Sequence, residues 1–415
     1  MNSFQTIVLG VFGFFIIAGL IVISLVKVKS GEGVVHIALW GAAPSAAVRP
    51  LIADLFDAKK LAVSYTEQKA DELDTKLIEA LAAGRGPDLV LLPAELLARY
   101  RDKIVLIPFA NISERQFKDA FVQEADIFLA PEGILALPFS LDPLVMYWNR
   151  DLLDEAGVST APKFWDEFLV LAKELSARDE EGNLARSAVG LGEYRNISSA
   201  REIIGALLLQ APPASSGDGV ETLGDLLKRT GAPAAISFYT EFANPEKPVY
   251  SWNRSLKSSR QEFLASRLAV YFGFGSEYAG LKRANPNLNF DAGLFPRPRN
   301  SSVGTTYGRI SGLAVLRASR SPSVALQVAQ VLSASGPELT FAEAAGLPPA
   351  RRDLLGERQT DAFRVILYDA ANRSRGFIDP NPVATAAAFQ EMIESVTSGR
   401  ARSEGAVSHA RSVIQ

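Results

Sequence analysis

Residues 135–157, LALPFSLDPLVMYWNRDLLDEAG, place a single acid, Asp142, between two apolar runs that are typical of β-strands. The second run, residues 144–148, leads into an amphipathic turn that ends at Gly157. Burying an isolated carboxylate costs free energy unless another group pairs with it. Asp142 is therefore either a solvated acid in a loop or a residue at a crossing between two lobes, where its carboxylate faces a cleft.

The composition limits the possible functions. The chain has 415 residues, a length that predicts two or three domains or one large bilobed domain. Its formal net charge is -3, so it lacks the basic character of a nucleic-acid-binding protein. The absence of cysteine excludes disulfides, thiolate catalysis and cysteine-ligated metals. With two histidines, a multi-histidine metal site cannot form within one chain, and we expect no metal and no cofactor.

The segment from Ile7 to Val26, IVLGVFGFFIIAGLIVISLV, consists of 20 uncharged residues. As a helix it would extend roughly 30 Å, enough to cross a bilayer. No lysine or arginine precedes it, whereas a cleavable signal peptide has basic residues before a shorter apolar core. We therefore predict an uncleaved single-pass membrane anchor, with residues 1–30 forming anchor and linker. Lys27 and Lys29 by themselves favour a cytoplasmic position for the domain on their carboxyl side, although large domains also translocate against this rule.

Beyond this segment, strand-like and helix-like segments alternate. Residues 34–40, VVHIALW, are almost continuously apolar, which is typical of a strand buried on both faces of a parallel sheet. Helical periodicity is present at residues 46–58 and 71–83, and further strands are predicted at residues 61–65 and 89–92. This β-α-β-α-β order predicts a doubly wound α/β layer.

Ligands bind such layers beyond the carboxyl ends of the strands. Trp40 and Gly41 end the first predicted strand, and Glu95 lies just after the third. These three residues are therefore candidates for a binding site. His36 lies inside the first strand, and we expect it to pack in the core.

Eight segments form an ordered set along the chain: IALWG, AAGRGPDLVLL, ALPFSLDPLVMYWNRDLLDEAG, PKFWDEFLVLAKEL, EFLASRLAVYFGFGSE, GRISGLAVLRASRSPSVALQVAQVL, GLPPARRDLL and FQEMIESVTSGRARSEGAVSHARSVI. The set resembles the extracellular solute-binding proteins of ABC transporters, family 1, which includes maltose-binding and other sugar-binding proteins. The resemblance extends from Val34 to Ile414. It implies a non-catalytic protein that closes by hinge motion around a small solute, a sugar or oligosaccharide, and presents it to ABC permease subunits on the extracytoplasmic side of the membrane.

The resemblance also implies an architecture, the two-lobed, type II-like fold of periplasmic binding proteins with a central ligand cleft. Three segments would cross between the lobes, near residues 140–143, 307–311 and 372–378. Lobe 1 would comprise residues 34–141 and 309–372, and lobe 2 residues 143–308 and 378–415.

A sugar site needs aromatic faces and fixed polar groups. The resemblance aligns Asp142 and Glu95 with cleft acids of maltodextrin-binding members. It departs from them at Gly41–Ala42–Ala43–Pro44, at Leu92 and at Phe389, so maltodextrin specificity is not supported. The candidate ligand-binding residues are Trp40, Gly41, Glu95, Asp142, Tyr147, Trp148, Tyr194, Trp252, Phe274, Gly275, Ser276, Glu277 and Tyr307.

Some of these candidates have two interpretations. Tyr147 and Trp148 are adjacent on a strand and point to opposite faces, so one of them is expected in the cleft. Trp252 lies in the polar segment VYSWNRS, where it either binds the ligand or packs in a loop. Residues 273–277 open a helix whose backbone N–H groups could bind a ligand oxygen. Trp165 is expected to pack in the fold, and Arg195 and Arg254 to be solvated.

Two other functions remain open from the residues. The fold could serve a membrane-anchored sensor or scaffold without transport. Asp142 and Glu95 could also form the carboxylate pair of a glycosidase, although nothing in the sequence fixes the required separation.

Overall fold

The structure is a computed structural model that describes residues 34–56, 61–213, 220–301 and 303–414. The anchor predicted between Ile7 and Val26 lies outside these residues. Within the described ranges, no helix is both long enough and apolar enough to cross a membrane.

The strands are β1 (Val35–Gly41), β2 (Leu61–Glu67), β3 (Leu89–Pro93), β4 (Ile107–Pro108), β5 (Leu129–Ala130), β6 (Gly133–Ile134), β7 (Leu137–Asn149), β8 (Ala177–Arg178), β9 (Leu184–Val189), β10 (Leu268–Phe274), β11 (Phe290–Gly293), β12 (Thr306–Val315) and β13 (Ser374–Arg375). Short 3-10 turns are present at Ala94–Leu96, Arg101–Lys103, Gln123–Phe128 and Gly275–Glu277.

The helices are α1 (Ser45–Phe56), α2 (Leu73–Ala82), α3 (Leu97–Tyr100), α4 (Glu114–Ala120), α5 (Arg150–Glu155), α6 (Trp165–Leu175), α7 (Ala200–Gln210), α8 (Leu223–Lys228), α9 (Ala232–Glu241), α10 (Ser259–Leu264), α11 (Tyr278–Ala284), α12 (Pro322–Leu332), α13 (Ser335–Ala345), α14 (Arg352–Leu355), α15 (Ala362–Arg373), α16 (Pro382–Thr397) and α17 (Ser403–Ile414).

The predicted β-α-β-α-β layer is confirmed, because β1 pairs in parallel with both β2 and β3. The hydrogen-bonded order of the main sheet is β2-β1-β3-β12-β7-β10-β9-β8, with β11 paired to β7 and β13 to β12. The first half of β7 pairs with β12, and its second half pairs with β10 and β11. One long strand therefore belongs to both ends of the sheet, and the protein has an α/β, two-lobed fold.

Two hydrophobic cores flank this shared region. Leu141 and Ile310 pack in the first core, whereas Leu144 and Tyr307 pack in the second core. The cores thus exchange within three residues on both β7 and β12. We refer to this place as the crossing. The lobe boundaries at 34–141 plus 309–372 and 143–308 plus 378–415 stay a prediction.

The expected burial of the first strand on both faces is wrong. Ile37, Leu39 and Gly41 are buried, but His36 is exposed, and Ala38 and Trp40 are half-buried. Alternate residues of a strand point to opposite faces, and only one face of β1 is fully covered. His36 is therefore not a core histidine.

Candidate functional site

The two longest described strands, β7 and β12, run antiparallel through the crossing. In their register Arg309 lies opposite Asp142, and Ser311 lies opposite Ser140. Because alternate residues share a face, these four side chains form one polar surface, the crossing patch. An acid and a base directly opposite each other on neighbouring strands attract.

Asp142 is half-buried inside β7, so the interpretation as a solvated loop acid is wrong. Its Oδ1 accepts a hydrogen bond of 3.0 Å from the backbone N–H of Ser276. Burial raises the pKa of Asp142 to about 6, and the bond from Ser276 and the nearby Arg309 oppose this rise. The carboxyl thus connects β7 to the turn after β10. Gly275, the residue before Ser276, has no room for a side chain, because a Cβ there would overlap Leu367.

Arg309 is the most accessible charge of the crossing patch, with 46% of its side chain exposed. Its guanidinium lies 3.6 Å from the ring centroid of Phe274, in cation–π geometry. Its Nη2 lies 3.3 Å from Glu202 Oε1. Phe274 itself is 1% exposed, so the arginine side chain and not the ring meets solvent here.

A chain of ion pairs continues from Arg309 into the second core. Glu202, in the first turn of α7, also lies 3.5 Å from Arg201 Nη1. Arg201 Nη2 donates a hydrogen bond of 2.7 Å to Asp379. Tyr194 is half-buried beside these groups, and its pKa rises to about 12 because of burial and the charge of Glu202.

Glu95 connects the other side of the crossing. It lies in the turn Ala94–Leu96, directly after β3, and accepts a hydrogen bond of 3.1 Å from the hydroxyl of Tyr307. Trp40 and Gly41 end β1, the parallel neighbour of β3, so they share this edge of the sheet with Glu95. Gly41 has little room for a side chain, because a Cβ would lie 2.8 Å from Leu91 Cβ.

The structure places neither Tyr147 nor Trp148 at the crossing patch. Tyr147 is fully buried and donates a hydrogen bond of 2.7 Å to the Phe274 carbonyl. Trp148 is 7% exposed, near the far end of β7, and the Arg150 guanidinium lies 5.7 Å from its ring centroid. Both fail as cleft residues because the second half of β7 lies inside the second core.

Trp252 is also internal. It is fully buried, and its Nε1 donates a hydrogen bond of 3.1 Å to Asn196 Oδ1. The polar residues around it misled the prediction, because they bond to backbone and to one another: the Ser251 hydroxyl donates to the Val189 carbonyl. The packing interpretation is therefore the correct one.

The turn Gly275–Glu277 is held by its own acid. Glu277 Oε1 accepts from the Phe274 N–H at 2.9 Å, and its Oε2 accepts from the Tyr271 hydroxyl at 2.7 Å. Ser276 is exposed, but its N–H is already bonded to Asp142. The Ser276 N–H and the Glu277 carboxylate therefore already have partners within the fold.

The residues that were set aside behave as expected. Trp165 is buried and donates from Nε1 to Gln210. Arg195 and Arg254 have more than half of their side chains exposed, and each pairs with a glutamate.

Sequence reasoning missed Arg309, Glu202, Arg201 and Asp379. The alternation Tyr307-x-Arg309-x-Ser311 in a predicted crossing segment was the available signal for Arg309. Glu202 lies 107 residues away from Arg309 along the chain, so no local pattern connects them. In the described part of the chain, no group of three or more histidine, aspartate or glutamate side chains could hold a metal ion.

Comparison with known proteins gives a consistent result. The family model described as bacterial extracellular solute-binding protein matches residues 51–362. A protein of Brucella abortus (strain 2308), named as a binding protein, is 22% identical over 314 residues, covering 72% of each chain.

Two solved structures are similar in fold. One is a cyclo/maltodextrin-binding protein complexed with maltotetraose, with TM-score 0.75, 16% identity and coverage of 93% of this chain and 97% of that one. The other is the sugar-binding protein MalE from Xanthomonas citri, with TM-score 0.73, 20% identity and coverage of 92% and 96%. At these identities the likeness shows the fold.

Proposed function

The chain belongs to the bacterial extracellular solute-binding proteins, and from that premise we propose that it captures a sugar or oligosaccharide between its lobes and delivers it to an ABC permease. The family and the structural neighbours are binding proteins rather than enzymes. A catalytic role for Asp142 and Glu95 is therefore not proposed.

The observation that carries the proposal is the crossing patch. It combines an exposed guanidinium, a half-buried carboxyl and two serines at the place where the two cores exchange. Hydroxyl-rich ligands need such fixed donors and acceptors. Tyr307 and Glu95 extend the patch on one side, and Tyr194 with Glu202 on the other. The similar protein bound to maltotetraose supports a sugar as the ligand.

Closure is proposed to occur about the crossing, because few strands continue from one core into the other there. A hinge motion at such segments buries a ligand between lobes.

The segment from Ile7 to Val26 is proposed to anchor the protein, with the binding domain on the extracytoplasmic side. Protease treatment of intact cells tests this orientation: digestion of residues 34–415 is expected, and full protection would contradict it.

Ligand binding is tested by thermal shift of the full chain in detergent, against sugars, polyols, amino acids and peptides. A solute at a hundredfold excess over its Kd stabilises the folded state by about 2.7 kcal/mol. We expect a sugar to raise the Tm, and Asp142→Ala to reduce that rise. Asp154→Ala, which removes an exposed acid of the nearby helix α5, is the matched control and should retain it. The proposal fails if no small molecule changes the Tm.

One observation favours a second function, an anchored sensor or scaffold. The charges of the site already pair with one another, Arg309 with Glu202 and Arg201 with Asp379. Purification from native membranes separates the two functions. Permease subunits that copurify with the chain support import, whereas a stoichiometric signalling partner and no solute response would support the scaffold.

A further inference from the structure

Glu124 is a buried acid that the proposed binding site does not use. It lies in the 3-10 turn Gln123–Phe128 and is 2% exposed. Neither of its carboxyl oxygens has a hydrogen-bond partner. Buried carboxyl groups are almost always hydrogen-bonded or paired with a charge. An unpartnered one therefore needs an explanation.

The position of Glu124 supplies the explanation. The carboxyl packs against the backbone of β12 at Gly308, where an added Cβ would overlap Oε2. It also packs against Gly376, directly after β13, where a Cβ would lie 3.3 Å from Oε1. β12 passes through the crossing, and the chain after β13 belongs to the third predicted crossing segment, residues 372–378. β13 pairs in parallel with β12, with Arg375 opposite Tyr307. Two glycines thus allow two crossing segments to close over one carboxyl.

The surrounding groups make the neutral form of this carboxyl the stable one. Burial raises the pKa of Glu124 to about 8 and the negative charge of Glu95 adds to the rise, whereas Arg375 and the nearby Ser374 hydroxyl oppose it. Arg375 is half-buried, and its Nη1 donates to the Ser374 carbonyl. The charge of Glu124 in turn contributes to the raised pKa of Tyr307 on β12.

The other elements that pack on the turn direct their charges elsewhere. Lys118 and Glu114 of α4, together with Arg352, act on Asp126 of the same turn. On β7, the carboxyl of Asp142 is bonded to the Ser276 N–H. Arg375 is therefore the cation best placed to meet an ionised Glu124.

We propose that Glu124 is a proton-controlled element of the hinge. Its neutral carboxyl permits β12 and the segment after β13 to pack together as seen here, and its ionisation drives them apart until water or Arg375 reaches the charge. The relative position of the two lobes then depends on pH. This proposal concerns the hinge alone and does not require the solute to be known.

The absence of cysteine allows a direct test. Glu79→Cys in α2 and Lys173→Cys in α6 place two exposed labels, one beside each core, and the full chain offers no other thiol. Spin labels at these positions report the distance between the lobes. We expect the mean distance in the otherwise unchanged chain to shift with pH, with a midpoint near the pKa of about 8.

Two variants test whether Glu124 causes the pH-dependent shift in the distance between the labels. Glu124→Gln is neutral at every pH and should keep the low-pH distance up to pH values well above the midpoint. Asp119→Asn removes an exposed acid of α4 and should leave the shift unchanged. A distance that stays constant with pH in the parent chain overturns the proposal, whether or not Glu124→Gln folds. An unchanged shift in Glu124→Gln overturns it as well.

Discussion

Asp142 and Glu124 lie on opposite sides of the same crossing, and burial raises the pKa of both. Asp142 has a donor at 3.0 Å and an arginine opposite it on the neighbouring strand. Glu124 has no hydrogen-bond partner and is enclosed by glycine backbone. One side of the crossing thus carries the polar groups of the proposed binding site, whereas the other is packed so tightly that a charge is unfavourable. Substitutions on the packed side should therefore mainly lower stability, whereas substitutions on the polar side should mainly weaken solute binding.

The largest expected effect is on the packed side. Gly308→Ala would place a methyl group onto Glu124 Oε2. Overpacking of this kind costs about 1–3 kcal/mol, and we expect the upper part of this range because the Glu124 side chain is buried and has little room to move away. Urea unfolding measures the loss. Gly336→Ala is the control, since nothing lies within 4 Å of its added Cβ.

A second substitution tests whether the overlap with Glu124 causes this loss of stability. Adding Glu124→Ala to Gly308→Ala removes the overlapped carboxyl and should restore part of the lost stability. If the double variant is as unstable as the sum of the two single variants, Gly308 is constrained by something other than Glu124.

The next effect is a pH dependence of stability. The pKa of Glu124 is about 8 in the folded chain, against 4.5 as its ordinary value. Between these values the folded chain holds a proton that the unfolded chain has lost, so its stability falls as pH rises from about 4.5 to about 8. We expect a decline of roughly 2 kcal/mol, since one pKa unit corresponds to about 1.4 kcal/mol and part of the shift is relieved by relaxation.

The comparison that isolates this decline is the difference in unfolding free energy between the parent chain and Glu124→Gln. Relative to Glu124→Gln, the parent chain should lose stability as the pH rises, so that it compares least favourably at the highest pH. A difference that is constant from pH 5 to pH 9 would mean that Glu124 is ionised or that its charge is already compensated.

The third effect measures the contribution of the hydrogen bond that Asp142 accepts from the Ser276 N–H. Asparagine retains a carbonyl oxygen that can accept from the Ser276 N–H, whereas alanine does not. We therefore expect Asp142→Ala to cost about 1 kcal/mol more than Asp142→Asn in unfolding free energy. Both variants should weaken solute binding. Equal stability of the two would show that the bond to Ser276 does not hold the turn.

The sequence was sufficient to predict the fold and the crossing but not the detailed site. Apolar runs at strand spacing and the ordered family segments predicted the layer around β1–β3 and the special position of Asp142. Tyr147, Trp148 and Trp252 were candidates because they are aromatic, yet all three are buried in one hydrophobic core. The pairing of Arg309 with Glu202 and the packing of Glu124 against Gly308 depend on contacts between segments about a hundred residues apart or more, which no local pattern contains.

The smallest effect on stability is expected at Arg309. Its contacts are a partly exposed ion pair with Glu202 and the face of Phe274. Exposed pairs and exposed cation–π contacts each contribute at most about 1 kcal/mol. Arg309→Met keeps an apolar side chain over the ring and should lower stability by less than about 1 kcal/mol. Solute binding should fall much more, because the variant removes the accessible donor of the crossing patch. Calorimetric titration with the solute found by thermal shift measures the affinity, and Arg195→Met, another largely exposed arginine paired with a glutamate, is the control. If Arg309→Met loses stability but keeps its affinity, the guanidinium holds the lobes and does not contact the ligand.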